Sequence, residues 1–328
     1  MRERFSDPRL WCLAGASFLV AVALVLPPMK FQRNVFDIIA VVDITGSMNT
    51  LDMSAEGRQE SRLEAAKRAV SQLLADLPCR SRLGLGIFTE RRSFLLFAPV
   101  EVCRDFAPVE TAVANLDWRM GWEGDSYVAQ GLYSALEISK SAAADIVFLT
   151  DGQEAPPLPP GTGLPPFEGE IGRVKGVIAG VGGREKVPIP KFDDEGREAG
   201  VYGPQDVVQE NRSGPPPPDA EKRPGYHPKW APFGNGPPEG DEHLTSVRFT
   251  HLERLAGVTG LAYAELSRTP ALVNIVMREA KPRGVVVAVD IRPYVAGGAL
   301  ILLVALYAAP LLAWASSLVF TPRSGLRS

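Results

Sequence analysis

Histidine and cysteine are scarce, three of each in 328 residues. His227, His243 and His251 do not fall at zinc spacing, so zinc chemistry has no ligand set to use. An excess of either charge is missing as well: 35 Lys and Arg against 38 Asp and Glu leave a formal net charge of −3. No basic stripe is interleaved with aromatics, which excludes nucleic acid as the expected partner. There is no Gly-x-x-x-x-Gly-Lys-Ser/Thr phosphate loop and no Gly-x-Ser-x-Gly elbow. Nothing in the sequence pairs a nucleophile with a base, so the expectation is a binding module and not an enzyme. Asp193-Asp194-Glu195 reads as a solvated acidic run.

What the chain does have is an apolar run, Val35 to Val42, that ends in Asp43-Ile44-Thr45-Gly46-Ser47. The run reads as a buried strand and the Gly-containing segment as the turn that ends it. Asp43, Thr45 and Ser47 therefore leave the carboxyl end of a strand, where open α/β sheets bind ligands. Hydroxyls and carboxylates without soft ligands suit a hard divalent cation. Two later segments add the same chemistry. Ile146-Val147-Phe148 leads into Leu149-Thr150-Asp151-Gly152, a second buried strand that ends in a carboxylate. Gly124-Asp125-Ser126 places a hydroxyl in a loop just before a helical stretch from Tyr127 to Ile138.

This order of segments resembles the metal-ion-dependent adhesion site of von Willebrand factor A (VWA) domains, over about residues 31–280. The resemblance implies an α/β fold, doubly wound and Rossmann-like, with a mostly parallel sheet and an antiparallel edge strand. It implies one divalent cation, Mg2+ first and Ca2+ or Mn2+ as alternatives, held by Asp43, Thr45, Ser47, Ser126 and Asp151. Ser126 stands where the family has Thr; it keeps the hydroxyl and lacks the methyl that restricts the rotamer. The implied partner is a protein that donates an acidic side chain to the ion, because neutral hydroxyl ligands leave the ion under-neutralised. The alternative is a scaffold in which the ion only pins three loops. More narrowly, Asn34 to Met48 resembles MxaL-type accessory proteins of methanol-oxidation clusters. That implies a role in maturing, or inserting Ca2+ into, periplasmic methanol dehydrogenase, with other membrane VWA proteins as further partners. The two-anchor layout resembles bacterial membrane VWA proteins that work beside MoxR-type ATPases as general envelope chaperones or scaffolds, with the ATPase engaged indirectly.

Residues 10–28 and 295–320 are apolar and uncharged enough to be read as membrane spans. A signal peptide is the competing reading of the first, but no convincing small-x-small cleavage site precedes Pro27. Arg2, Arg4 and Arg9 precede the first run, and Arg323 and Arg327 follow the second. By the positive-inside rule the tails 1–9 and 321–328 are cytoplasmic, and the VWA domain, 31–282, lies in the periplasm of a bacterium, joined to the second span by a connector, 283–294. Disulfides persist there. Cys79 and Cys103 lie twelve residues either side of a hairpin turn near Arg91, which would set them opposite each other across an antiparallel pair; two separate thiols are the alternative.

Ser61 caps a helix whose face carries Leu63, Ala66, Val70, Leu73 and Leu74. Arg82–Thr89 and Ser93–Ala98 form an edge hairpin, and Val174–Gly182 is the strand after Asp151. An insert, 184–242, interrupts the pattern; it holds Pro215 to Pro218 and the aromatic residues Tyr226, Trp230 and Phe233. It should emerge on the metal face, to cover the site or to grip a partner; a tolerated surface insertion is the alternative. His251 is read as a surface residue at the start of a helix. Gly284–Ile291 is an alternating Val stretch whose partner strand the sequence does not identify.

Overall fold

The computed structural model describes residues 8–319 apart from 56, 122–124, 159–162, 194, 205, 208–221, 223–240 and 269–271. Gly124, Asp194, Pro215 to Pro218, Tyr226, His227, Trp230, Phe233 and the charged tails 1–7 and 320–328 lie outside the described residues. In chain order the elements are α1 (Pro8–Val25), β1 (Met29–Val35), β2 (Asp37–Asp43), β3 (Met53–Ala55), β4 (Arg58–Glu60), α2 (Arg62–Asp76), β5 (Arg82–Thr89) and β6 (Arg92–Glu101). Then come α3 (Phe106–Ala114), α4 (Val128–Ser141), β7 (Asp145–Thr150), β8 (Gly176–Gly180), β9 (Val187–Pro188), β10 (Pro190–Phe192) and β11 (Glu198–Val201). The last are β12 (Leu244–Thr245), α5 (Phe249–Thr259), β13 (Ala262–Glu265), α6 (Leu272–Glu279), β14 (Arg283–Val289) and α7 (Arg292–Val319).

The chain divides into two compact units. In the unit 34–283, six strands form one sheet in the order β13-β8-β7-β2-β5-β6. Every neighbouring pair is parallel except β5 and the edge strand β6. Ile38 to Val42 and Ile146 to Leu149 are buried on both faces, the continuous apolar pattern that a covered parallel sheet demands. One apolar layer gathers side chains of α2, α3 and α6 against the sheet; the other gathers those of α4 and α5. The carboxyl ends of β2, β5, β7 and β8 lie along one edge of the sheet. There the chain turns from β5 on one side of β2 to β7 on the other, the switch point at which such sheets bind ligands.

Local chemistry fixes the element ends. The Ser61 hydroxyl accepts the amide of Glu64 at 3.1 Å and so caps α2. At the opposite end of the sheet from the switch point, Cys79 and Cys103 are bonded, with Cα atoms 5.3 Å apart. Their positions just outside the Arg82↔Glu101 pair are the two ends of the β5–β6 hairpin.

The second unit comprises residues 1–33 and 284–328. In it α1 packs along α7, and β14 pairs with β1, which supplies the partner strand for the Val-rich stretch. The two flanking membrane spans, expected at 10–28 and 295–320, are not supported by the helices: among the described residues, none is long and apolar enough to cross a membrane. α1 has 18 residues; at 1.5 Å per residue it rises about 27 Å, short of a hydrocarbon core of about 30 Å.

Near the start of β2, Asp37 accepts two bonds from Arg82 and two from Arg283, at 2.6–2.9 Å. Burial pushes its carboxyl up, but the two guanidinium groups outweigh burial and hold it down at about 2. Because the folded value lies below the unfolded one, this contribution to stability is present above about pH 4 and is lost as pH falls toward 2. Asp37→Asn should therefore lower stability at pH 6 and flatten the fall in stability between about pH 4 and pH 2; urea titrations across that range check it.

Candidate functional site

Asp43 is the last residue of β2 and is fully buried. Its Oδ1 accepts the amide and the hydroxyl of Thr45, at 2.9 and 2.7 Å, and its Oδ2 accepts the Thr150 hydroxyl at 2.5 Å. Thr45 closes a tight turn by accepting the amide of Met48, and Gly46–Asn49 form one 3₁₀ turn that keeps Ser47 beside it. Since the Thr45 proton is committed to Asp43, the lone pairs of its oxygen remain for another partner. Ser126 is placed by backbone pairing: its amide and carbonyl bond those of Ala155, beyond β7, and the next amide, of Tyr127, bonds Glu90 beyond β5. The loop hydroxyl is thus tied to the ends of both neighbouring strands. Thr45, Ser47, Ser126 and Asp43 are all below a tenth exposed. Among the described residues, the Ser126 Oγ is buried with no hydrogen-bond partner.

Asp151, also fully buried, follows β7. Its Oδ1 accepts the amide of Gln153 at 2.9 Å, and its Oδ2 meets Arg62 Nη1 at 2.6 Å. Arg62 is the feature that sequence reasoning passed over. It is the first residue of α2 and wholly buried. It also donates to Thr245 at 2.7 Å and, through Nε and Nη2, to both oxygens of Asp52. Asp52 in turn accepts the amide of Gly183. Two glycines make room. Gly182 has φ +137°, and a Cβ there would lie 2.8 Å from Arg62 Nε; Gly152 has φ +78°, and its Cβ would strike Leu252. The signal was present in the sequence: an Arg in the first turn of a helix opposes the helix dipole, and Arg62 adjoins the apolar face begun by Leu63.

Glu154 completes the set. Its carboxylate accepts the amides of Val128 and Ala129 at the start of α4, at 2.9 and 3.0 Å, and lies 3.0 Å from His251 Nε2. His251 is therefore a partly buried partner of Glu154, which corrects the surface reading; the sequence gave no sign that the loop after β7 reaches α5. The insert folds back over this edge. β9 pairs with β12, and β10 and β11 pair with each other, with β10 against the Gly46–Asn49 turn. Phe192 of β10 stacks on Trp118, ring centroids 4.9 Å apart. Together these segments enclose a cavity of about 450 Å³ that reaches Thr45, Ser47 and Ser126.

The electrostatics favour a cation. Burial pushes Asp43 up to about 7, and the nearby Asp151 charge adds to the rise. A positive ion would reverse both effects. Among the described residues no three His, Cys, Asp or Glu side chains cluster as a metal site. An ion here would therefore rest on hydroxyl oxygens, with carboxylates supplying charge. The donor set suits Mg2+, Ca2+ or Mn2+, and the unpartnered Ser126 oxygen is a free ligand position. Thr45, Ser47 and Ser126 line one cavity and Asp43 bonds Thr45 from beneath it, whereas Asp151 has its Oδ2 already bonded to Arg62.

Arg62→Met would leave Asp52 and Asp151 charged and without their common counter-charge. We expect a loss of about 3–5 kcal/mol in unfolding free energy, read from the urea midpoint. A loss below about 1 kcal/mol would show that the two carboxylates do not depend on Arg62.

Residues 38–153 match the von Willebrand factor type A domain family, a span that includes all five expected site residues. Among solved structures, an aerotolerance-related membrane protein from Bacteroides fragilis is 16% identical with a TM-score of 0.44, covering 74% of this chain and 98% of its own. BatB from Bacteroides thetaiotaomicron is 16% identical with a TM-score of 0.41, covering 71% and 91%. No curated protein matches. The chain carries a VWA domain with an α/β fold and a mostly parallel central sheet.

Proposed function

We propose that the chain is a protein-binding module whose VWA site works through one divalent cation. The observation that carries this reading is the convergence of Thr45, Ser47 and the unpartnered Ser126 oxygen beside buried Asp43. Those three hydroxyls would hold the ion, and Asp43 and Asp151 would supply negative charge, directly or through water. The bound ion supplies a Lewis-acidic position that a carboxylate of a partner protein can complete. The protein's own groups do the rest. Asp43 accepts the hydrogen bond of the Thr45 hydroxyl and so leaves that oxygen's lone pairs for the ion. Arg62 holds Asp151 in one orientation. The backbone pairing of Ser126 with Ala155 fixes the third hydroxyl.

We also propose that α1 and α7 attach the chain to a bacterial inner membrane, with the VWA domain on its periplasmic side. Trp11, Phe18 and Leu24 on α1, and Leu300, Ile301 and Val304 on α7, are exposed apolar side chains that water would not favour. The client we favour is a periplasmic Ca2+-dependent methanol dehydrogenase, which the protein would help to mature. This last step rests only on the resemblance of residues 34–48. The second reading is a general envelope chaperone or scaffold that works with a MoxR-type ATPase.

Ser126→Ala is the informative variant, because it removes a buried, unpartnered oxygen. The metal-free variant should be at least as stable as the wild type, while Mg2+ affinity measured by calorimetry should fall at least about tenfold. Unchanged Mg2+ binding would remove Ser126 from the ligand set. In a methanol-grown host, deletion should lower the amount of Ca2+-loaded dehydrogenase, and the wild-type gene, but not Ser126→Ala, should restore it. Normal dehydrogenase in the deletion strain would pass the role to the general chaperone reading.

A further inference from the structure

The cavity over the site is lined on one side by hydroxyls and on the other by the stacked pair Trp118 and Phe192, with Tyr202 beside them. Its volume, about 450 Å³, lies within the range of pockets that take small ligands or single side chains. Its charge is one-sided. Asp125, Glu154, Asp206 and Glu242 line it, and none of the described lining residues is Lys, Arg or His. Glu154 is engaged by the start of α4, and Asp206 by the Gly203 amide and Lys191 Nζ. Asp125 has no partner among the described residues.

An acidic lining does not define a ligand by itself. The second observation is Gln153, which is 4% exposed and lines the same cavity. Its amide nitrogen donates to the carbonyl of Glu242 at 3.1 Å, which fixes the side-chain orientation. Its Oε1 is then an acceptor, and among the described residues that oxygen is buried with no hydrogen-bond partner. A buried acceptor left without a donor is destabilising. The cavity thus offers an unmet acceptor, a carboxylate without a partner among the described residues, and the aromatic surface of Trp118 and Phe192, while Lys191 Nζ is taken up by Asp206 and the Tyr202 ring. A donor-rich cation on an apolar stem matches all three: its charge meets Asp125, its N–H groups meet Gln153 Oε1, and its stem and charge lie against aromatic rings.

We propose that this cavity binds a primary ammonium group on an apolar stem, presented either by a lysine side chain of a partner segment or by a free alkylamine. The proposal goes beyond the divalent-cation reading and does not require it, since Asp125, Gln153 and Phe192 are not among the hydroxyl ligands.

Calorimetry of the full chain in a chelating buffer tests it, with butylammonium and butyrate as probes of equal length and opposite charge. Butylammonium should bind at least about tenfold more tightly than butyrate. Asp125→Asn and Phe192→Ala should each weaken it about fivefold or more, with Mg2+ affinity in a separate, chelator-free titration unchanged. Nα-acetyl-lysine amide binding as well as butylammonium assigns the site to a lysine side chain; much weaker binding assigns it to a free amine. No butylammonium binding, butyrate binding of equal strength, or indifference to both substitutions would overturn the proposal. Mg2+ binding lost in Ser126→Ala with amine binding retained separates this site from the ion site. Amine binding absent while Mg2+ binding persists overturns this inference alone.

Discussion

A single buried guanidinium holds the functional edge of the sheet together. Arg62 bonds Asp52, Asp151 and Thr245, and Asp52 passes the link on to Gly183. These residues come from the loop after the Ser47 turn, the exit of β7, the exit of β8 and the return from the insert. Burying such a charge is costly, and the cost is offset where its N–H groups find partners and negative groups surround it. Here two carboxylates and a hydroxyl accept four hydrogen bonds from it. The exits of three strands, and the point where the insert rejoins the fold, are therefore positioned by one side chain. This explains the open conformation at Gly182, where any side chain would press on the guanidinium.

The same side chain divides the labour of the two carboxylates at the switch point. Asp151 faces Arg62 and is compensated inside the protein. Asp43 faces neutral donors alone, the Thr45 amide and the hydroxyls of Thr45 and Thr150, and burial together with the Asp151 charge pushes it up toward neutrality. Of the pair, Asp43 is the one whose charge calls for an external cation. In a site where both carboxylates lacked a resident partner, an incoming ion would have two claims to satisfy. Here the internal ion pair leaves one, so a bound ion would keep charge available to whatever partner approached the hydroxyls.

Much of the central sheet was legible because its signals are local. Val35 to Val42 is too continuously apolar to be an exposed strand, and Asp43, Thr45 and Ser47 follow it at alternating positions. Ser61 precedes its helix as a cap should. The hairpin symmetry about Arg91 brought Cys79 and Cys103 to the same end of the sheet despite register shifts between Leu83 and Gly86. What was not legible depends on distance. Thr245 lies 183 positions from Arg62, and His251 lies 97 from Glu154. No periodicity connects such pairs; only the crossovers of a parallel sheet do. β14 had no visible partner for the same reason, because β1 lies at the other end of the chain. Membrane spans were read from the length and apolar composition of residues 10–28 and 295–320, but among the described residues no helix is both long and apolar enough to cross a membrane.

The insert changes what kind of surface the VWA edge presents. Without it, three hydroxyls and a carboxylate at the end of β2 would face solvent, open to a flat protein surface. With β10 lying on the Gly46–Asn49 turn and Phe192 on Trp118, the hydroxyls sit at the floor of a recess instead. A globular face cannot press into such a recess; a side chain, a chain end or a small molecule can. Selectivity then depends on both the floor and the walls. With an ion bound, the floor would distinguish by charge, and the walls by shape and by the excess of acceptors over donors. Because β9 pairs with β12, where Thr245 faces Val187 and bonds Arg62, the walls and the floor are set by one connected network. A change in how the insert is seated would reach Asp151 through Thr245 and Arg62, three side chains already in hydrogen-bond contact.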